Sequence, residues 1–269
     1  MARDVRFTTR TPAVEQAAEI LRYLASDSKI RASLTHISKT VKINKSKTHV
    51  ILTALEKCGF VIKDPVDKFY SLGFGLIPIG LMALENTNYV VAAKPILVEL
   101  AQKTRCSALF GLIVDENYVI SEIEQSGQAL ESRMKPGHTF PIFYGAHGKV
   151  ILASIPEDEQ KRILATKKVA FEGHPSEVSY DDLKEQLEAC RRDGFAHRLI
   201  GPSDVINLLA SVVLGANGRP IGALQIVGLF KKSVVRKYGT KLAESARKLS
   251  MLLGGNSSQS SSQGARLHD

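Results

Sequence analysis

The densest run of groups able to hold an anion lies between Asn44 and Lys57, NKSKTHVILTALEK. Read as a helix capped by Asn44, it buries Thr48, Ile51, Leu52 and Leu55 at helical spacing. The opposite face then presents Lys45, Ser46, Lys47, His49, Val50 and Thr53. Lysine and serine hold phosphate oxygens, and lysine and histidine also reach the acceptor atoms on a guanine edge. An ordinary solvated helix face carries the same residue types, so the neighbouring elements must decide between the two readings.

A second run, Phe140 to Lys149, reads FPIFYGAHGK. Small residues at a helix start let backbone N–H groups approach an anion. Gly148-Lys149 has the ending of a phosphate loop, GxxxxGK[ST]. That pattern fails here, because Phe143 holds the first glycine position and Val150 follows Lys149. A helix start packed on a sheet explains the run as well, and the residues alone leave both readings open.

Signatures of enzymes are missing. The chain has no GxSxG, HExxH or GxGxxG. Its seven histidines are scattered without paired metal spacing, and Gly201-Pro202-Ser203-Asp204 reads as a turn rather than a nucleophile site. Cys58, Cys106 and Cys190 are odd in number and far apart, which argues against a disulfide framework and a zinc site and for core thiols. No catalytic residue, metal or cofactor is expected.

The elements around the first run favour nucleic acid. A helix opens at Thr11-Pro12, with proline in its first turn and Val14, Ala17, Leu21 and Leu24 on one face. A short helix follows from Ser33 to Val41, with Leu34, Ile37 and Val41 inward. Only Lys42 and Ile43 separate it from Asn44, which reads as a helix-turn-helix. Phe60–Ile62 and Phe69–Leu72 then form a hairpin around Asp64-Pro65-Val66-Asp67, the place of a wing. Charge agrees: residues 1–75 hold thirteen Lys/Arg against seven Asp/Glu, whereas the remaining residues hold 23 against 20. Most of the net +9 therefore sits in about a quarter of the chain, as phosphate binding requires.

The expected domains are a flexible arm at 1–10, a winged helix-turn-helix at 11–74, a linker helix at 75–93, a second, α+β domain at 94–253 and a disordered Gly/Ser/Gln-rich tail at 254–269. Within the second domain, strands are expected at Ala108–Val114, Tyr118–Ile123, Leu208–Leu214 and Ile221–Val227, the last pair joined at Asn217-Gly218. Helices are expected at 94–104, 146–154, 157–165, 181–192 and 234–253. The class is α+β with an antiparallel sheet. No apolar run reaches the roughly twenty residues that span a bilayer, and MARDVRFTTR lacks the apolar stretch of a signal peptide. A cytoplasmic protein without a membrane partner is expected. The linker carries Leu76, Ile77, Ile79, Leu81, Met82 and Leu84, more than a two-turn helix in a monomer can hide.

In order and spacing these features resemble the IclR family of bacterial transcription regulators, over roughly residues 10–252. TPAVEQAAEILRYLA is similar to its opening helix, and NKSKTHVILTALEKCGFV with YSLG to its recognition helix and wing. FPIFYGAHGKVILA is similar to its effector-domain signature, and DGFAH with NGRPIGALQIVG to its closing strands. The resemblance implies a GAF-like effector domain, operator DNA as partner, a homodimer or dimer of dimers, and a small carboxylic acid effector. It implies that Ala146 and His147 meet the carboxylate through their N–H groups and that Phe140 walls the pocket. Val205, Asn207, Gln225 and Val227 fall on further pocket positions, where Asn207 replaces a frequent Cys and Gln225 and Val227 replace frequent Ser residues. In the reading head, Val50 stands where Arg is common and Lys47 where Thr is common. Lys42 replaces a frequent turn glycine, which strains the turn if φ is positive there. Two rival readings are an architectural DNA protein without ligand and a small-molecule enzyme with a basic module.

Overall fold

A computed structural model describes residues 11–26, 31–85, 88–126, 134–171, 179–200 and 206–254. The expected arm, the 201–204 turn, Val205 and all but the first residue of the expected tail lie outside them. The chain divides into two compact units, 1–83 and 84–269.

In the first unit, α1 (Pro12–Ala25), α2 (Leu34–Thr40) and α3 (Lys45–Lys57) precede β1 (Val61–Lys63) and β2 (Tyr70–Leu72). Their core is Ile20, Leu24, Ile37, Ile43, Ile51, Leu52, Leu55, Val61 and Tyr70. Val14, expected inward, is 65% exposed. The α1 helix packs on α3 and β2 and buries only Ile20 and Leu24, which lie in its C-terminal half. Its first turn therefore meets water. Ser33 caps α2 by accepting from His36 N–H at 3.3 Å. Between α2 and α3, Lys42 has φ +53°, the left-handed backbone at which a side chain costs free energy.

The expected linker splits into α4 (Leu76–Glu85) and α5 (Asn88–Thr104). The second helix runs through the expected join at 93/94 and accommodates Pro95. Its buried stripe of Ala93, Ile96, Leu97, Leu100 and Ala101 holds it in place despite the lost hydrogen bond.

In the second unit, β3 (Ser107–Val114) and β4 (Asn117–Glu124) are followed by β5 (Thr139–Pro141), α6 (Gly145–Ser154), α7 (Glu157–Thr166) and α8 (Tyr180–Asp193). Then come β6 (Ala196–Ile200), β7 (Ile206–Leu214), β8 (Pro220–Gly228), a 3-10 turn at Lys232–Val234 and α9 (Val235–Leu252). The six strands form one antiparallel sheet in the order β5-β4-β3-β8-β7-β6. The short edge strand β5 is an addition to the sequence reading, and β6 begins within DGFAH, the segment that resembles a closing strand of the family.

Both sheet faces are covered, because alternate residues of each strand point opposite ways. Leu109, Leu208, Ala210, Ala223 and Val227 join α6 and α8 in one core. Phe110, Leu209, Val213, Leu224 and Ile226 join α5 and α9 in the other. Three free thiols are present. Cys106 and Cys190 are core thiols as expected, whereas Cys58 is exposed, because it caps the C-terminus of α3 beyond the last buried residue, Leu55.

Candidate nucleic-acid interface and effector site

The α3 helix begins with a strong cap: Asn44 Oδ1 accepts from Ser46 N–H at 2.9 Å. Thr48 is fully buried and donates to the Asn44 carbonyl at 3.0 Å. Thr48, Ile51, Leu52 and Leu55 form the packed face. Lys45, Ser46, Lys47, His49 and Val50 are exposed together, Val50 at 67%. Thr53 differs: it is half-buried, and its hydroxyl donates to the His49 carbonyl at 2.9 Å. This face offers ammonium, hydroxyl and imidazole groups from one rigid element, as groove recognition needs.

The wing is tied back to the helices. Ala32 and Tyr70 exchange backbone hydrogen bonds at 3.0 and 2.9 Å. Arg31 forks to Asp64 at 2.8 Å and Asp67 at 2.9 Å. Asp64 also accepts from the N–H groups of Val66 and Asp67. Those backbone bonds, before the Arg31 charge, hold its carboxyl below the usual range.

The second unit builds its site from several elements. The α6 helix has no side-chain cap, and its first residue, Gly145, has φ +55°. Gly145 N–H donates to the Ala170 carbonyl at 2.9 Å and Gly148 N–H to that of Tyr144 at 2.9 Å. Between them, the N–H groups of buried Ala146 and His147 find no acceptor among the described residues. Gly148 lets the turn close: a Cβ there would lie 2.4 Å from the Phe143 carbonyl carbon.

Aromatic rings line this helix start. His147 stacks on Tyr118 with centroids 4.1 Å apart, and Phe140 stacks on Tyr144 at 5.7 Å. Tyr118 reaches its place across Gly111, where a Cβ would meet the ring at 2.3 Å. Its hydroxyl donates to the Ala223 carbonyl at 3.0 Å. Burial pushes that phenol well above its ordinary range. His147 Nε2 donates to the Pro141 carbonyl at 3.3 Å, which fixes the proton on that nitrogen. Burial pushes the His147 pKa down to about 4, so the ring is neutral near pH 7. Arg198 stands 5.5 Å over the Tyr144 ring.

Of the other sequence-expected residues, Gln225 and Val227 lie on the face that α6 covers. Both alternate with Leu224 and Ile226 of the opposite core. Gln225 is 2% exposed, and its amide nitrogen has no hydrogen-bond partner among the described residues. Asn207 does not join them. It shares the strand face of Leu209 and Val213; its Oδ1 accepts from His197 Nε2 at 2.9 Å, and its Nδ2 donates to the Phe230 carbonyl at 2.8 Å. The residue facing α6 at that level is Leu208. A one-residue register difference reverses every side chain of a strand. Tyr118 and Arg198 were not anticipated, although the isolated Gly111 in an apolar strand is itself a sign of close approach.

A cavity of about 650 Å³ lies at the other end of α6, lined in part by Ser154, Glu157, Arg191 and Arg219. Its charged groups are engaged: Arg219 pairs with Glu159 at 2.7 Å, Glu157 with Lys161 at 2.7 Å, and Arg191 Nε donates to the Ala153 carbonyl at 2.7 Å. No group of His, Cys, Asp and Glu among the described residues is arranged to hold a metal ion. No single helix among them is long and apolar enough to cross a membrane.

Comparison with known proteins agrees with this architecture. Residues 13–65 match the IclR helix-turn-helix domain and residues 81–251 the bacterial transcriptional regulator IclR C-terminal domain. The chain is 25% identical over 238 residues to the HTH-type transcriptional regulator KdgR of Escherichia coli, covering 87% of this chain and 90% of that protein. It is 21% identical over 253 residues to the transcriptional repressor IclR of the same organism, covering 92% of each. The crystal structure of an IclR transcriptional regulator from Alicyclobacillus acidocaldarius superposes with a TM-score of 0.79 at 25% identity, over 91% of this chain and 100% of that one. An IclR homolog from Microbacterium hydrocarbonoxydans complexed with 4-hydroxybenzoate shares the fold with a TM-score of 0.71 at 16% identity, over 90% and 98%. These relatives are regulators of transcription, not enzymes. With one domain model covering well over half of its residues and a second covering the reading head, the chain belongs to the IclR family of DNA-binding bacterial transcription regulators.

Proposed function

We propose that this regulator binds operator DNA through the exposed face of α3 and answers to a small organic acid held at the start of α6. Lys45, Ser46, Lys47 and His49 supply the polar contacts, Val50 an apolar one, and Thr53 borders them. A carboxylate is the natural occupant beside Ala146 and His147, because an uncapped helix N-terminus offers unpaired donors and a positive potential. The observation that carries this reading is that these two N–H groups are buried without an acceptor; a buried unpaired donor costs roughly 1–3 kcal/mol. Phe140 and Tyr144 supply walls suited to a small hydrophobic or aromatic acid. The complex of the Microbacterium homolog with 4-hydroxybenzoate supports that class by analogy.

The test is calorimetric titration of the full chain with small carboxylic acids, wild type against Ala146→Leu. Binding that the substitution weakens supports the reading; acid binding left intact by it places the pocket elsewhere. Assembly is part of the proposal. Ile77, Ile79, Leu81 and Met82 of α4 are each more than half exposed, so we infer at least a homodimer through this helix. Sedimentation showing only monomer at micromolar concentration overturns that step.

A further inference from the structure

Near the start of α6 stands a cation that the proposed carboxylate does not need. Arg198 lies on the edge strand β6, on the same sheet face as Ala196 and so on the side of α6. Its guanidinium covers the Tyr144 ring, and its Nη1 lies 3.3 Å from where a Cβ on Gly145 would sit. Among the described residues it has no carboxylate partner. By contrast Arg31, Arg162, Arg192 and Arg219 are all in ion pairs. After burial, which dominates, the Arg198 charge also disfavours protonation of His147.

Donor groups gather here: the Ala146 and His147 N–H groups, the half-buried Arg198 guanidinium and the buried Gln225 amide nitrogen on the sheet face beneath α6. Neutral donors and a helix start are satisfied by one carboxylate. A guanidinium beside them adds a full positive charge that favours a second negative one, and arginine is shaped to bind planar or tetrahedral oxyanions with two parallel hydrogen bonds.

We propose that Arg198 is a specificity-determining residue that selects a small dianion, a dicarboxylate or a phosphate monoester, over the corresponding monoanion. This rests on the effector site proposed above. One acidic group meets the N–H groups of Ala146 and His147, and Arg198 takes the second negative charge. Phe140 and Tyr144 flank the carbon skeleton.

The test is calorimetric titration of the full chain with two matched pairs, succinate against butyrate and phenyl phosphate against benzoate. Each is measured on wild type, Arg198→Gln, Arg198→Lys and Ala146→Leu, with thermal melting to establish that each variant is folded. The expected result is a preference of about tenfold or more for the dianion in at least one pair, the lower end for a hydrogen bond to a charged group. Arg198→Gln should abolish the preference while leaving the monoanion bound, and Arg198→Lys should restore part of it. The pair that shows the preference identifies the dianion as a dicarboxylate or a phosphate monoester. Equal binding of both members by wild type overturns the proposal, as does a preference that survives Arg198→Gln, or no binding of any probe at millimolar concentration. Failure of the underlying site is distinct: Ala146→Leu then leaves the binding of both members of a pair unchanged.

Discussion

The α3 face and the α6 start both collect hydrogen-bond donors, yet they differ in what those donors do without a ligand. On α3, Lys45, Ser46, Lys47 and His49 are exposed and solvated, so an empty reading head carries no penalty. At α6 the donors belong to the buried residues Ala146, His147 and Gln225, where leaving them unpaired costs free energy. An exposed site declares itself through residue type; a buried one declares itself through missing partners. The first can be altered by trimming a side chain with the fold untouched, whereas the second is part of the core.

The sharpest test of that contrast is Gly148→Val. A side chain there meets the backbone of Phe143 and Ile142, which cannot swing aside. We expect a loss of about 3 kcal/mol, the upper end for overpacking, seen as a lower denaturation midpoint for the effector domain. A near-neutral result would show the α6 start to be far more plastic than its packing implies.

Acidity gives the next largest effect. Folded His147 titrates at about 4 and an unfolded histidine near 6.5. As pH falls below 6.5 the unfolded chain therefore binds this proton first. The contribution of the neutral ring is whole above 6.5 and is lost progressively towards 4, up to roughly 3 kcal/mol in all. Denaturation of wild type and His147→Phe across this range should show a steeper loss in wild type. Parallel profiles would remove His147 as the cause. His36 and His49 lie in the other unit with no comparable burial, so the contrast is again between a core group and a solvated one.

On the exposed site, Lys47→Ala should leave melting unchanged and weaken operator binding by about 1–3 kcal/mol if Lys47 reads a base. If it touches phosphate alone, the loss should be similar on all sequences and the salt slope should fall by about one. Unchanged affinity and slope would take Lys47 out of the interface. Smallest is Asn44→Ala, which removes the cap on Ser46 N–H. It should cost about 1 kcal/mol of stability, measured by thermal denaturation of the full chain, and blur the contrast only slightly.

The two sites also differ in how far the sequence discloses them. The α3 face is a single stretch whose period separates Thr48, Ile51, Leu52 and Leu55 from the cationic side, and the structure reproduces that division. The long apolar strands β3, β4, β7 and β8 are legible for the same reason. The proposed effector site draws on β4, β5, α6, β6 and β8, and its membership depends on pairing that a linear reading does not contain. The family resemblance put Asn207 at a pocket position, but pairing with β6 and β8 puts Leu208 on the α6 side and turns Asn207 to His197 and Phe230. The β6 strand, Ala196–Ile200, carries His197 and Arg198 in its middle and so lacks the apolar signature that would have drawn attention to Arg198.

The strand order has a kinetic consequence. β8 is paired on both sides, with β3 and β7, and buried on both faces. Its amides should exchange with solvent only when the whole domain unfolds, over the longest times the domain allows. β5 and β6 close the sheet at its two edges and can fray singly, so the amides beside Phe140 and around Arg198 should exchange far sooner. Gln225 thus belongs to the slowest-opening strand, while the aromatic and cationic rim rests on the quickest, a floor that keeps its shape beneath walls free to adjust to what they enclose.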